Sequence, residues 1–371
     1  MLNRITRSVT ALVILSSLLA LSSLIAGRAL AQATPSFSAA TLVKLGDNVK
    51  YGSYIVSKIG EGIYQINDPG DKATKSGGRG VDMYLICGKT KALMVDLGNN
   101  YIDGYAPDLI KPRPNAAAEL RAVVFGLAGK LPLEVAMGHA HPDHDGMTMA
   151  FVNIPRKVIL WMPEGEDLNA PKVQHGIDPS VYTTFPAGKV FDLGGGRIVK
   201  TFTVRGHTNA STVYLLEKDM VLFTSDAFGS GFGQNYRTLD ALKNFAEDSQ
   251  KLVDYFLNHY AAYERYSLRV YPGHSLQMPY GGMSGQGRTK IDIGYLDWRF
   301  IQNEAMAANG VFAGKWLVPG SGLEMMKDIP GSWGAGNGTV IMIDGIGSVI
   351  VPIDVAYKAA GLDPPKSEKA P

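Results

Sequence analysis

The residues best suited to chemistry lie in one short stretch, residues 136–147, which reads AMGHAHPDHDGM. It contains three of the seven histidines of the chain, with carboxylates between them. Imidazole and carboxylate are the ligands that hold zinc and similar cations. Residues two apart in an extended backbone point the same way, so His139 and His141 can share one ion. Asp143 and His144 then bend towards a second ion.

Three later residues of the same chemical types each follow a strand-like run. His207 lies in VRGHTNAST, Asp226 in LFTSDAFG and His274 in VYPGHS. Strand-to-loop junctions are where functional side chains usually lie. Together with the histidine-rich stretch they make seven potential ligands, enough for two ions. The other two histidines, His175 and His259, are expected to be ordinary.

Alternating and helical hydrophobic patterns predict the elements that must position these residues. Helices are predicted over residues 116–128, 239–265 and 291–308, the last two as amphipathic helices. A hairpin is predicted in the tail GTVIMIDGIGSVIVPI. Strands are predicted in SYIVSKIG, GIYQIND, MYLICG, KALMVDLG, LPLEVAMG, KVILWM, RIVKTFTV, STVYLLEK, MVLFTSD and LRVYPG. This order indicates an α/β protein with a mainly antiparallel sandwich core.

The elements HAHPDH, GHT, SDA and PGHS, with MVDLG upstream, occur in an order that resembles the metallo-β-lactamase-fold superfamily over roughly residues 53–312. The resemblance implies a four-layer αββα sandwich with the metals at one edge of the two sheets. By the same resemblance, His139, His141 and His207 would bind a first ion. Asp143, His144 and His274 would bind a second ion, and Asp226 would bridge the two. Asp96 would orient the site from behind the ligands. Asp145 is expected to make turn contacts instead of a metal bond.

The chemistry implied by this resemblance is hydrolysis with two zinc ions per chain. A hydroxide held between two cations is a nucleophile at neutral pH, because each cation lowers the pKa of bound water. Asp143 would steer that nucleophile or take its proton. The expected substrate is a small molecule with an activated ester, lactone, thioester or amide bond.

The N-terminus resembles a signal peptide over residues 1–31. Arg4 and Arg7 precede an apolar stretch, and Ala29-Leu30-Ala31 provides a cleavage site before Gln32. An uncleaved anchor is the alternative, since the apolar run is almost long enough to span a membrane. Cleavage predicts an exported protein, periplasmic or secreted, with no stable membrane insertion.

Composition and charge limit the partners. Residues 1–31 contain three arginines and no acid, so the remaining chain has 33 basic and 34 acidic residues. This balance gives no reason to expect nucleic acid as a partner. Cys87 is the single cysteine, which excludes an internal disulfide, and a buried inert thiol is expected. Whether the protein forms a homo-oligomer stays an open question at this point.

The predicted domain organisation has three parts after the signal peptide. An N-terminal lead covers residues 32–52, and the metal-binding catalytic domain covers residues 53–312. A C-terminal extension with a hairpin and a frayed tail covers residues 313–371. Candidate substrate walls are residues 69–80, the segment AFGSGFGQNY and the segment MPYGGMSGQGR, with four candidate lining side chains: Phe228, Tyr236, Met278 and Tyr280.

Three alternatives compete with a general zinc hydrolase. A β-lactamase of the subclass that uses only His and Asp ligands has the same ligand set, although GHTNAS departs from the usual GHTPGS. The cysteine-ligand subclass is disfavoured because the corresponding position reads Ser225-Asp226. An iron-dependent oxidoreductase of the same fold is the redox alternative, but the flavodiiron enzymes carry glutamate where this chain has His141. The third alternative is a binding protein that keeps the metals for structure.

Overall fold

The computed structural model describes most of the chain. The chain divides into two units, Met1–Phe37 and Ser38–Pro371, and all of the described helices and strands lie in the second unit. The described residues are 36–68, 81–99, 115–169, 176–229, 234–274, 295–327, 338–343 and 348–364. For residues 324–327 and 338–343 only the backbone is described. The predicted signal peptide and the candidate wall at residues 69–80 lie outside these ranges.

The first sheet has eight strands that follow one another in chain order. Pairing is antiparallel from the first strand to the fifth and parallel from the fifth to the eighth. The strands are β1 (Asn48–Tyr51), β2 (Tyr54–Gly60), β3 (Ile63–Asp68), β4 (Val81–Cys87), β5 (Ala92–Val95), β6 (Leu133–Ala136), β7 (Val158–Pro163) and β8 (Thr183–Phe185).

The second sheet has five strands and the third has four. The second contains β9 (Val190–Asp192), β10 (Ile198–Thr203), β11 (Thr212–Leu216), β12 (Val221–Ser225) and β14 (Arg269–Pro272). The third contains β13 (Gln234–Asn235), β15 (Leu323–Lys327), β16 (Gly338–Ile343) and β17 (Ser348–Pro352). Only two pairs in these sheets are parallel, β12 with β14 and β13 with β17.

Six α-helices complete the described part of the fold. They are α1 (Ala116–Ala128), α2 (Pro142–Asp145), α3 (Leu239–His259), α4 (Ala262–Tyr266), α5 (Trp298–Phe312) and α6 (Ile353–Ala359). Short 3-10 turns occur at Ala39–Thr41, Thr148–Phe151, Pro179–Val181, Glu217–Asp219 and Lys315–Leu317. None of the described helices is both long and apolar enough to cross a membrane.

The period-two alternation of β11 explains how the layers stack. Tyr214 and Leu216 point into the core between the first and second sheets, whereas Val213 and Leu215 point to the opposite side. That opposite side is covered by α3 and α5. Helix α1 packs on the outer face of the first sheet, against β2 and β4. The protein is therefore an α/β sandwich with the layers helix, sheet, sheet, helix.

Most predicted strands and the helix at residues 116–128 are confirmed, but two helices differ from the prediction. The helix predicted over residues 239–265 is broken at Tyr260, whose backbone is extended and whose hydroxyl donates to Glu217 Oε1 at 2.6 Å. Helix α5 begins at Trp298 instead of Ile291, because Leu296 pairs with Val270 as a β-bridge. Five strands were not predicted: β1, β8, β9, β13 and β15.

Cys87 meets the expectation of an inert thiol. Its side chain is partly buried, and the thiol donates to the carbonyl of Leu127. Burial raises the pKa of Cys87 to about 11, although Arg197 opposes this. The thiol therefore stays protonated, and unreactive as a nucleophile, near neutral pH.

Candidate metal centre

The candidate site lies at the carboxyl ends of neighbouring strands in both central sheets. In the first sheet β5 and β6 run parallel, and in the second sheet β12 and β14 run parallel. Parallel neighbours bring the loops that follow them to the same edge of a sheet. In the first sheet, Asp96 follows β5, and the loop after β6 carries His139, His141, Asp143 and His144. In the second sheet, His207 follows β10, Asp226 follows β12 and His274 follows β14.

The loop after β6 changes direction at His141. The backbone of His141 is extended and caps α2, and Pro142 occupies the first position of that helix. The backbone amides of His144 and Asp145 donate to the carbonyl of His141 at 2.9 and 3.0 Å. His139 and His141 therefore lie on the extended part of the loop, while Asp143 and His144 lie on the helical turn.

The first group consists of His139, His141 and His207. Nε2 of His207 lies 3.2 Å from Nε2 of His139 and 2.9 Å from Nδ1 of His141. His139 is fully buried, and the other two are partly exposed. Three ring nitrogens converge on one point from two loops, which is an arrangement that could hold a metal ion.

The second group consists of Asp143, His144, Asp226 and His274, all of them buried. Nε2 of His274 lies 3.4 Å from Asp143 Oδ2, and Nε2 of His144 lies 3.9 Å from the same oxygen. The ligand atoms within each group lie within 4.8 Å of one another. This group could hold a second ion with two imidazoles and two carboxylates.

Asp226 lies between the two groups. Its Oδ2 is 3.6 Å from Nε2 of His207 in the first group. Its Oδ1 is 3.4 Å from Nε2 of His144 and 3.3 Å from Nε2 of His274 in the second. Each oxygen of one carboxylate therefore faces a different group.

Asp96 fixes the orientation of His144. The backbone of Asp96 has a positive φ of 62°, a conformation that aspartate adopts more readily than most residues. Its Oδ1 accepts from the backbone amide of Gly138 at 2.6 Å, and its Oδ2 lies 2.9 Å from Nδ1 of His144. Because a carboxylate only accepts, Nδ1 of His144 carries the proton and Nε2 faces the second group.

Three buried atoms of the second group have no hydrogen-bond partner among the described residues: Asp143 Oδ1, His144 Nε2 and Asp226 Oδ1. Leaving buried polar atoms unsatisfied costs about 1–3 kcal/mol each. A cation at this position would satisfy the lone pairs of Nε2 and Oδ1. Imidazole nitrogen and carboxylate oxygen are donors that bind zinc and similar cations, so the residues fit metal ions.

Burial and neighbouring charges set the two groups apart. Burial lowers the pKa of His207 to about 3, and burial and the nearby imidazoles hold the pKa of His139 well below its ordinary value. Burial also lowers the pKa of His274, but Asp226 and Asp143 outweigh it and raise that pKa to about 9. The first group thus presents neutral imidazoles, whereas His274 pairs with carboxylates when no metal is bound.

Ser225 contacts the site and two glycines allow its loops to approach one another, but neither role was predicted from the sequence. Ser225 Oγ lies 3.3 Å from Nδ1 of both His139 and His144. A Cβ at Gly138 would lie 2.4 Å from Oγ of Ser225, and a Cβ at Gly273 would lie 2.6 Å from Asp226 Oδ1. Both glycines directly precede a candidate ligand, and this was the signal available in the sequence.

The described residues among the other candidates belong to neither group. Phe228 and Tyr236 are fully buried in the core against α3, so they are not pocket walls as the sequence suggested. Asp145 belongs to neither group, and its Oδ2 accepts from the hydroxyl of Tyr182 at 3.3 Å. His259 is exposed on α3 and stacks on Tyr255. His175, Met278 and Tyr280 lie outside the described residues.

Comparison with known proteins gives one family match. The family model described as "Metallo-beta-lactamase superfamily" matches residues 76–257. No curated protein matches the chain.

Three solved structures are among those to which the chain is similar. A metallo-beta-lactamase from Erythrobacter litoralis is 15% identical with a TM-score of 0.43, over 62% of this chain and 92% of that one. One from Pontibacter korlensis is 18% identical with a TM-score of 0.44, over 60% and 91%. One from Pseudomonas aeruginosa, in a mono-zinc form, is 13% identical with a TM-score of 0.41, over 60% and 87%.

Proposed function

Because the chain belongs to the metallo-beta-lactamase superfamily through residues 76–257, we propose that it is an exported hydrolase that uses two zinc ions. The substrate is a small molecule with an ester, lactone, thioester or amide bond. The observation that carries this proposal is the position of Asp226, whose two oxygens face two separate groups of ligands. His139, His141 and His207 would hold one ion, and Asp143, His144 and His274 the other.

Zinc bound at these groups lowers the pKa of water enough to make hydroxide available near neutral pH, and its charge polarises a carbonyl. Asp143 has two distinct tasks in this scheme. Its Oδ2 faces His274 in the second group, while its buried Oδ1 makes no hydrogen bond within the described part of the chain. Oδ1 is therefore free to accept the proton that the attacking water loses. Asp96 keeps Nε2 of His144 facing the second group, where it would bind an ion.

The metal test is elemental analysis of the purified protein combined with an activity screen. The zinc-loaded protein is offered lactones, β-lactams, thioesters and phosphoesters. Two zinc ions per chain with turnover of one of these classes is the expected result. One iron per chain with oxygen consumption would overturn the proposal in favour of the oxidoreductase alternative.

The β-lactamase alternative is tested by a chromogenic β-lactam. Hydrolysis of that substrate by the zinc-loaded protein would narrow the proposed substrate class to β-lactams. Absence of turnover at high enzyme concentration would exclude the β-lactamase alternative. Esters, lactones, thioesters and other amides would then remain as the proposed substrate classes.

The binding-protein alternative is tested with Asp143→Ala. If Asp143 accepts a proton and contributes a ligand oxygen, this variant loses most of the activity found in the screen, about 100-fold or more. Undiminished activity would show that the proposed site is not the catalyst. The exposed Asp254→Asn on α3 is the matched control.

Export is part of the proposal because of the leader-like pattern at residues 1–31. Cleavage would leave a chain that begins at Gln32, with a near-neutral charge and a small molecule as its partner. Fractionation of expressing cells followed by N-terminal sequencing tests this. A chain that keeps Met1 and sediments with membranes would contradict cleavage.

A further inference from the structure

The side chain of Glu166 connects the two loops that carry the first group of histidines. Glu166 lies in the segment that follows β7 and is partly buried. Its Oε2 accepts from the backbone amide of Ala140 at 3.1 Å. Ala140 is the residue between His139 and His141, so this bond holds the centre of the extended stretch on which both histidines lie.

The other oxygen of Glu166 holds the turn between β10 and β11. Oε1 accepts from the backbone amide of Ala210 at 3.0 Å and from the hydroxyl of Thr208. Thr208 directly follows His207, and its hydroxyl also lies 2.6 Å from Oγ of Ser211. The turn that presents His207 is thereby closed on itself and tied to Glu166.

These two loops come from different sheets. The loop after β6 belongs to the first sheet and the β10–β11 turn to the second. One backbone bond also spans them, from the amide of Thr212 to the carbonyl of Gly138 at 2.9 Å, but it lies five residues beyond His207. Glu166 contacts Ala140, which adjoins His139 and His141, and Thr208, which adjoins His207.

We infer that Glu166 is a positioning residue for the first ion, and that its carboxylate sets the separation between His207 and the pair His139 and His141. This inference rests on the proposed function, because it assigns Glu166 a task in holding one of the two proposed metals. Residues that orient metal ligands typically contribute about 10- to 100-fold to metal affinity, and we expect an effect of this size here.

Only a carboxylate can make this set of bonds. Both oxygens of Glu166 accept hydrogen bonds, and all three of its partners donate. A glutamine has one acceptor oxygen and an amide group that would face a donor on one of the loops. Glu166→Gln is therefore expected to weaken the first site nearly as much as Glu166→Ala. Glu164→Gln, an exposed glutamate two residues away, is the matched control.

The experiment measures the affinity of each site for Co²⁺ separately, by competition with a chromophoric chelator. His274→Ala leaves the first group complete and removes one residue of the second, and His207→Ala leaves the second group complete and removes one residue of the first. Adding Glu166→Gln to the first background should raise the dissociation constant about 10- to 100-fold. Adding it to the second should change that constant less than about twofold. Thr208→Val in the first background should give a smaller loss, since it removes one of the three bonds.

Thermal melting of the metal-free variants separates a positioning role from general unfolding. The inference is overturned if Glu166→Gln leaves the affinity in the first background unchanged while the two-metal protein still binds its ions; the proposed function then stands. It is also overturned if both backgrounds lose affinity together with a lower melting temperature. A protein with the wild-type sequence that binds no Co²⁺ and no Zn²⁺ would overturn the proposed function and this role together.

Discussion

At the scale of single residues, one carboxylate decides how the two groups of ligands are related. Asp226 is 7% exposed, and its pKa is well below its ordinary value, because His274 and His144 outweigh the effect of burial. It is therefore a buried anion whose two oxygens face different groups. Its carboxylate lies within 4 Å of both His207 and His274.

Asp226→Asn is the most informative single substitution. The amide has no negative charge and only one acceptor oxygen, so it cannot face both groups as an acceptor. We expect the zinc content to fall from two ions per chain to about one or fewer. The hydrolytic kcat/KM should fall by about 100-fold or more. Elemental analysis and the activity assay measure both, and a variant that keeps two ions and full activity would contradict the bridging role.

At the scale of the elements, close approach of the loops depends on residues without side chains. The segment after β14 passes so near the second group that a Cβ at Gly273 would lie 2.8 Å from Cε1 of His144. Gly138 lets the loop after β6 approach the end of β12 in the same way. The ligands converge because these two loops are able to touch the opposite sheet.

Gly273→Ala should displace Asp226 and His144. Overpacking of this kind costs about 1–3 kcal/mol of stability, and we also expect weaker metal binding. Gly88→Ala is the matched control. Its Cβ would lie 2.1 Å from the carbonyl oxygen of Leu193, but Gly88 lies near the end of β5 that is away from the candidate metal centre. Urea unfolding and chelator competition should show that both variants lose stability but only Gly273→Ala loses metal affinity. Equal metal affinities in the two variants would be evidence against the steric argument.

At the scale of the whole molecule, the C-terminal strands share a core with the helices that cover the second sheet. Val349 and Val351 of β17 are fully buried in the same cluster as Phe245 of α3 and Ile301 of α5. Strand β17 also pairs in parallel with β13, eight residues after Asp226. The boundary predicted at residue 312 stays a prediction, but residues of β17 beyond it pack in one core with α3 and α5.

Removal of residues 313–371 tests the energetic weight of this packing. Each large apolar side chain that loses its cover forfeits about 1.5–3 kcal/mol. We expect the truncated protein to be insoluble or to melt at least about 10 °C below the full chain. A truncated protein with an unchanged melting temperature would show that the C-terminal part is an independent appendage.

The buried Glu304 makes stability depend on pH. It is fully buried on α5, and its Oε1 lies 2.6 Å from the backbone amide of Ser348, which donates to it. Burial raises the pKa of Glu304 well above 4.5, so the folded chain keeps a proton that the unfolded chain loses. The stability contributed by this group is complete below about pH 4.5 and is lost as the pH rises towards the folded-state pKa, by up to about 1.4 kcal/mol per pH unit.

Glu304→Gln removes this proton and keeps an acceptor for Ser348. The free energy of unfolding of the metal-free variant should therefore fall less steeply between pH 5 and pH 8 than that of the wild-type protein. Urea titrations at several pH values measure both slopes. Parallel slopes would mean that Glu304 ionises in the folded protein as it does in the unfolded chain.

The sequence alone was enough to predict the α/β class, most strands and the seven candidate ligands. It was sufficient because strands have a period of two, and because a histidine or aspartate at a strand end carries its chemistry in its type and spacing. The helix break at Tyr260 and the start of α5 were not predictable in this way. Both depend on contacts with residues far away in the chain, the hydroxyl bond to Glu217 and the bridge to Val270.

The resemblance of the sequence to a known family already implied how the candidate ligands divide, whereas only the tertiary structure decided what holds them in place. Spacing along the chain says that His139 and His141 can share an ion, but it does not say that His207 joins them or that Asp226 lies between the groups. Glu166 gives no signal in the sequence, because its partners lie on two loops that the fold brings together. Local patterns encode which groups are present, whereas their distances follow from the packing of the two sheets, which no short segment contains.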